Sequence, residues 1–221
     1  RTIMSPSLFS LIEASLPDDR TRIVLEAPDR TRGPREWSAE RLLAAAAQFA
    51  SLFAQLGLVK GDRVALQVEK SPEALAIYLA CLRGGFVFLP MNTAYRLDEV
   101  DYLVGNAEPA LAICDPAAEG GVKEIAARHG TPHVMTLDTE ARGSLTEASR
   151  RVRDVAPPAR LGADDLAAIL YTSGTTGKPK GAMLNQGNLA SNGLALRDAG
   201  AGFGRDLLVG REHLGETCRF V

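Results

Sequence analysis

Hydrophobic positions along this chain alternate between two periods. From Ala39 to Leu56 apolar residues recur at helical spacing, with Ser38 placed to cap the start and Gly57 to stop it. Val64, Leu66 and Val68 then alternate with Ala65, Gln67 and Glu69, the period of a strand. Ser71-Pro72-Glu73 opens a second helix with a capping hydroxyl, a proline at the first helical position and a carboxylate at the positive end of the dipole. Gly84-Gly85 ends that helix, and Phe86 to Leu89 reads as a short, wholly apolar strand. The alternation continues with a helix from Leu97 to Asn106 and a strand from Ala110 to Cys114. A helix from Gly121 to His129 and a strand from His133 to Leu137 follow. Pro157-Pro158 marks an extended connection, after which Asp165 to Thr172 carries the best strand of the second half. Helices between buried strands predict an α/β fold with parallel sheets flanked by helices. No fixed-period repeat points to a solenoid.

Composition narrows the class. The 221 residues carry 25 Lys+Arg against 27 Asp+Glu, a net charge of −2, with 46% hydrophobic positions. This is enough chain to bury a real core, and the balance gives no electrostatic footprint for nucleic acid or an anionic membrane. The longest apolar run, Ala74 to Leu82, is far too short to cross a bilayer. Glu13, Asp18 and Asp19 interrupt the N-terminal region, so no secretory signal is expected and a reducing cytoplasm is the default. The chain starts at Arg1, with Met4 as its first methionine. Cys81, Cys114 and Cys218 are odd in number and widely spaced, which argues against a disulfide framework or a zinc site; the first two read as small buried hydrophobes.

One segment carries chemistry: Tyr171-Thr172-Ser173-Gly174-Thr175-Thr176-Gly177-Lys178-Pro179-Lys180-Gly181, directly after the last strand. Glycines let successive backbone N–H groups converge on an anion, hydroxyls add donors, and the two lysines are drawn from only five in the chain. Polyphosphate binding is the physical reading; a solvated Ser/Thr/Gly loop is the alternative that composition leaves open. A Walker loop fails, because Gly177-Lys178 is followed by Pro179 rather than Ser or Thr.

The same segment resembles the phosphate-binding loop of the adenylate-forming enzymes: acyl-CoA synthetases, peptide-synthetase adenylation domains and luciferases. Leu82-Arg83-Gly84-Gly85-Phe86-Val87-Phe88-Leu89-Pro90 resembles an upstream motif of that superfamily, and Gly61-Asp62-Arg63-Val64-Ala65 its early strand. Glu69 to Leu75, Leu89 to Tyr95, Ala107-Glu108-Pro109, Gly162 to Leu170 and Asn188 to Asn192 are most similar to malonyl-CoA synthetases. The resemblance implies part of the large N-terminal domain of an acid–CoA ligase. Such a ligase uses ATP, Mg²⁺ and coenzyme A, and passes through an acyl-adenylate with release of pyrophosphate and AMP. It further implies that Thr172, Ser173, Gly174, Thr175, Thr176, Gly177 and Lys178 wrap the β- and γ-phosphates with Lys180 nearby, Thr175 and Thr176 making direct hydroxyl contacts. Malonate or methylmalonate is the acid it suggests; another short or medium-chain acid, or an inactive nucleotide-binding remnant, are the alternatives. Small molecules are the expected partners, with no nucleic acid and no membrane span.

Two departures stand out. Gln186 occupies the place where the family usually has a histidine, so a protonation-dependent role there is in doubt. The resemblance covers roughly residues 5–198, and residues 199–221 read as a divergent tail. Gly200, Gly202 and Gly204 do not make the dinucleotide fingerprint, and His213 and Cys218 are too isolated for a metal. The expectation is a chain that stops within the N-terminal domain, leaving sheet edges and apolar faces uncovered, and lacking the Mg²⁺-binding glutamate and the catalytic lysine the resemblance would supply. Trp37 is expected to pack on the first long helix, Glu69-Lys70 to be a surface pair, and His129 and His133 to flank a solvated turn. Arg96 is a candidate for substrate or interface contact.

Overall fold

The computed structural model describes residues 7–28, 34–172, 179–200 and 219–220. Helix α1 (Leu8–Ser15) leads into strands β1 (Ile23–Ala27) and β2 (Arg35–Ser38). Then come α2 (Ala39–Gln55), β3 (Arg63–Gln67), α3 (Pro72–Gly84), β4 (Val87–Pro90) and α4 (Leu97–Ala107). Next are β5 (Leu111–Cys114), α5 (Glu119–His129), β6 (His133–Thr136) and α6 (Ser144–Ser149). The chain continues with β7 (Leu166–Thr172), β8 (Lys180–Asn185), α7 (Gln186–Gly200) and β9 (Arg219–Phe220).

The helix starts follow the caps written in the sequence. Ser38 Oγ accepts the N–H of Arg41 at 3.2 Å, and Ser71 Oγ that of Ala74 at 3.1 Å, each satisfying one of the donors a helix start leaves unpaired. Gly85 closes α3 in the left-handed conformation (φ +77°), where a side chain would be strained. Glu73 does more than face the α3 dipole: it is buried and takes a two-pronged contact from Arg35 of β2 at 2.9 and 3.2 Å.

Six strands form one sheet in the order β6-β5-β3-β4-β7-β8, parallel except for β8, which returns antiparallel to β7. A second, antiparallel sheet joins β2, β1 and β9. On one face of the large sheet Val64, Leu66, Leu111 and Ile113 pack with α1, α2 and α3; on the other Ala65, Leu89, Ala112 and Cys114 pack with α4 and α5. The α/β layering therefore holds, and β3 is the strand its alternation predicts, buried on both faces. Ala65 and Gln67 are buried like Val64 and Leu66, because a central parallel strand is covered on both faces.

Other expectations resolve as contacts. Trp37 is buried, and the Arg41 guanidinium, in the first turn of α2, lies 4.3 Å from its ring centroid. The histidines flank the 130–132 turn as expected, His129 ending α5 and His133 opening β6, and each makes a contact: His129 Nε2 lies 2.9 Å from Asp101 Oδ1, and His133 Nε2 lies 2.8 Å from the carbonyl of Leu56, at the end of α2. Burial pushes the thiols of Cys81 and Cys114 up, so they are inert small hydrophobes as expected. Strand β8 is an edge, and Met183 on it is 71% exposed. No helix among the described residues is long and apolar enough to cross a membrane.

Candidate functional site

In an open parallel sheet, ligands bind at the carboxyl ends of the strands, where the connections diverge. Here the chain leaves β3 through α3 toward β4 and leaves β5 through α5 toward β6, on opposite sides. A crevice of about 410 Å³ opens at that point, lined by Gln67 to Glu69 at the end of β3, Asp115, Ala117 and Ala118 after β5, and Thr93 and Tyr95 to Leu97 after β4. The buried Gln67 shapes it: its Nε2 donates to the carbonyls of Asn92 and Tyr95, both at 3.1 Å, and so folds the 92–95 turn over the strand ends. Arg96 lines this crevice and faces solvent, with Asp98 3.7 Å away. Glu69 lines it too, which gives that residue a place beyond the surface pair expected of it. Gln67 was missed by the sequence reading; a long amide inside an otherwise apolar strand was the available signal.

The glycine-rich segment begins on the same edge of the sheet. Thr172 ends β7, which runs parallel to β4, and Lys180 begins β8 as its direct Cα partner across the ladder. Both are exposed, at the connected end of the β7–β8 pair. Ser173, Gly174, Thr175, Thr176, Gly177 and Lys178 lie outside the described residues. The two ends of their segment are nonetheless fixed, because the register from Leu170–Ala182 through Tyr171–Gly181 to Thr172–Lys180 is continuous.

Two tyrosines tie this hairpin to α4. The Tyr102 hydroxyl donates to the carbonyl of Pro179 at 3.1 Å, and the Tyr171 hydroxyl donates to Asn106 Oδ1. Burial, with Tyr102 close by, holds the Tyr171 phenol above its ordinary pKa. At the other end of β7, Lys60 pairs with Asp165 at 2.7 Å and, by its hydrogen bond, holds that carboxyl below the usual range.

Gln186 lies away from this edge. The six-residue strand β8, which Lys180 begins, runs between it and the start of α7, a strand length of about 20 Å. The Gln186 side chain is 1% exposed, and its Oε1 accepts the N–H of Leu8 at 3.2 Å, where α1 begins. Its backbone N–H donates to the carbonyl of Asp165. Its amide therefore does structural work at the far end of the hairpin.

The chain matches the AMP-binding enzyme family over residues 14–209. It belongs to that family. Among individual proteins it is 27% identical over 199 residues to YtcI of Bacillus subtilis, an uncharacterised acyl–CoA ligase, covering 84% of this chain and 35% of YtcI. It is 28% identical over 199 residues to a crotonobetaine/carnitine–CoA ligase of Salmonella paratyphi B, covering 84% and 38%. Among solved structures it is similar to ATP-bound MatB from Rhodopseudomonas palustris, at 47% identity and a TM-score of 0.78 over 87% of this chain and 37% of MatB. The family member described here thus spans little more than a third of the length of these relatives.

Proposed function

We propose that this AMP-binding chain holds the phosphate-binding part of an ATP-dependent acid–CoA ligase, with malonate or methylmalonate as the acid. A carboxylate is a poor acyl donor because its oxygen is a bad leaving group. Attack of the carboxylate on the α-phosphate of ATP forms an acyl-adenylate and expels pyrophosphate; the thiol of coenzyme A then displaces AMP. Negative charge gathers on the departing β- and γ-phosphates, so preorganised N–H, hydroxyl and ammonium donors at that position lower the barrier.

The observation that supports this reading is the hairpin. It brings Thr172 and Lys180 opposite each other at the carboxyl edge of the sheet, the edge on which the crevice opens. Between them stand Ser173, Gly174, Thr175, Thr176, Gly177 and Lys178, whose donors suit a polyphosphate. The similarity to a protein whose structure holds ATP supports the nucleotide, and the segments similar to malonyl-CoA synthetases support the acid. Among the described residues no group of three His, Cys, Asp or Glu could hold a metal ion.

The test is pyrophosphate release by the chain with Mg-ATP and coenzyme A, comparing malonate, methylmalonate, acetate and no acid. The chain spans 37% of the length of MatB, so the expected result is Mg-ATP binding, weakened in Lys178→Ala and Thr176→Ala, with little or no acid-dependent release from this chain alone. Malonate-dependent release of pyrophosphate and AMP would confirm the ligase and overturn the expectation that this chain lacks its catalytic residues. Formation of ADP and phosphate instead, or no binding of Mg-ATP, would overturn the ligase reading.

A further inference from the structure

We propose that Tyr102 and Asn106 are positioning residues: one turn apart on α4, they brace the two ends of the glycine-rich segment and set its affinity for the phosphates of ATP. The second half of this statement rests on the ATP reading above; the brace itself does not.

Residues four apart on a helix share a face. Tyr102 reaches Pro179, the residue before β8, while Asn106 receives the hydroxyl of Tyr171, next to the last residue of β7. The two bonds thus act on opposite strands of one hairpin, either side of residues 173–178. The helix that supplies them is firmly held. Val100, Leu103, Val104 and Ala107 are buried against the sheet. Arg63 also donates to the carbonyls of Ala107 and Glu108, each at 2.7 Å, fastening the helix end.

Gly181 points the same way. It is the cross-strand partner of Tyr171, and a Cβ at this position would lie 2.9 Å from Ile169 Cγ2 and 3.2 Å from Tyr171 Cζ. The missing side chain lets the Tyr171 ring lie across β8 while its hydroxyl extends to Asn106. Neither hydroxyl is needed for the apolar packing of α4, since a phenylalanine would fill the same space. What the hydroxyls add is position, and a phosphate cradle depends on donors fixed in advance of the ligand.

The experiment is hydrogen exchange over residues 171–181 of the 221-residue chain, with and without Mg-ATP, together with Mg-ATP affinity. The proteins are the wild type, Tyr102→Phe, Asn106→Ala, Asn106→Asp and Asp101→Asn. Loss of one such bond is expected to speed exchange at Thr172, Lys180 and Gly181 and to weaken Mg-ATP, each by about 2- to 10-fold. Asn106→Asp keeps an acceptor oxygen and should restore slow exchange. Asp101→Asn removes the charge from the contacts of α4 to Arg128 and His129 and should change neither reading.

Unchanged exchange in Tyr102→Phe and Asn106→Ala, or an equal effect of Asp101→Asn, overturns the brace. Faster exchange with unchanged Mg-ATP affinity overturns its role in phosphate binding. A wild type that binds no Mg-ATP overturns the ATP reading, while the exchange rates still decide the brace.

Discussion

Thr172 and Lys180 are direct cross-strand partners, so the glycine-rich segment leaves and re-enters the sheet at one rung of the ladder. Thr172 and Lys180 thereby stand opposite each other on the backbone, on the edge of the sheet where the crevice opens.

On the proposed function, Lys178→Ala removes a charged donor and Thr176→Ala a neutral one. Charged hydrogen bonds contribute about 1.5–3 kcal/mol against about 0.5–1.5 kcal/mol for neutral ones. Lys178→Ala is therefore expected to weaken Mg-ATP by more than tenfold and Thr176→Ala by less. Equilibrium titration of the two variants checks the order.

The Arg35–Glu73 contact ties the small antiparallel sheet to the start of α3, with the Glu73 carboxylate nearly out of solvent. Among the described residues, Glu73→Ala leaves the guanidinium with the carbonyl of Thr139 as its one partner. It is expected to destabilise the chain by about 1–3 kcal/mol. Arg35→Lys loses the fork geometry and should recover only part of that. Urea midpoints of the two variants measure the difference.

Gln186→Leu leaves the N–H of Leu8 unpaired inside the core and is expected to cost about 1–3 kcal/mol of stability. Because the residue stands at the opposite end of β8 from Lys180, Mg-ATP affinity should stay within about twofold of wild type. A large loss of affinity at unchanged stability would show that the amide acts on the phosphate site after all.

Burial raises the Cys114 thiol and the Tyr78 phenol to about 12 each, from ordinary values of 9.0 and 10.0, and raises Cys81 further. These groups stay protonated in the folded chain while the unfolded chain ionises. Their stabilisation is complete below about pH 9 and is lost as pH rises through the folded values near 12. Denaturation midpoints measured from pH 7 to 11 should fall on the alkaline side. Cys81 and Cys114 should resist alkylation at pH 8 until denaturant is added, as site-resolved mass spectrometry would show.

Local features were legible because their causes are local. Ser38 and Ser71 cap the helices expected of them, Gly85 ends α3 in the left-handed conformation, and the apolar runs at Val87 and Leu111 are buried parallel strands. Strand β8 escaped notice because Lys180 to Met183 are exposed and carry no alternation of burial. Helix α5 starts at Glu119, earlier than Gly121, since Asp115 caps a short turn over Pro116–Ala118 that runs into it. Trp37, expected to pack on the first turn of α2, does so under Arg41.

The sequence by itself determined the α/β class, the helix starts and the Tyr171–Gly181 motif, because caps, periodicity and glycine-rich loops are written within a few neighbouring residues. Tertiary structure alone decided the strand order, the crevice at the ends of β3 and β5, and the anchoring of the motif. The bonds that decide these join residues far apart in the chain: Tyr171 to Asn106 over 65 positions, Tyr102 to Pro179 over 77, Leu8 to Gln186 over 178. No local pattern marks such partners. They meet only once the apolar faces of α4 and the sheet are driven together, and a hydroxyl then finds an acceptor that packing has brought within reach.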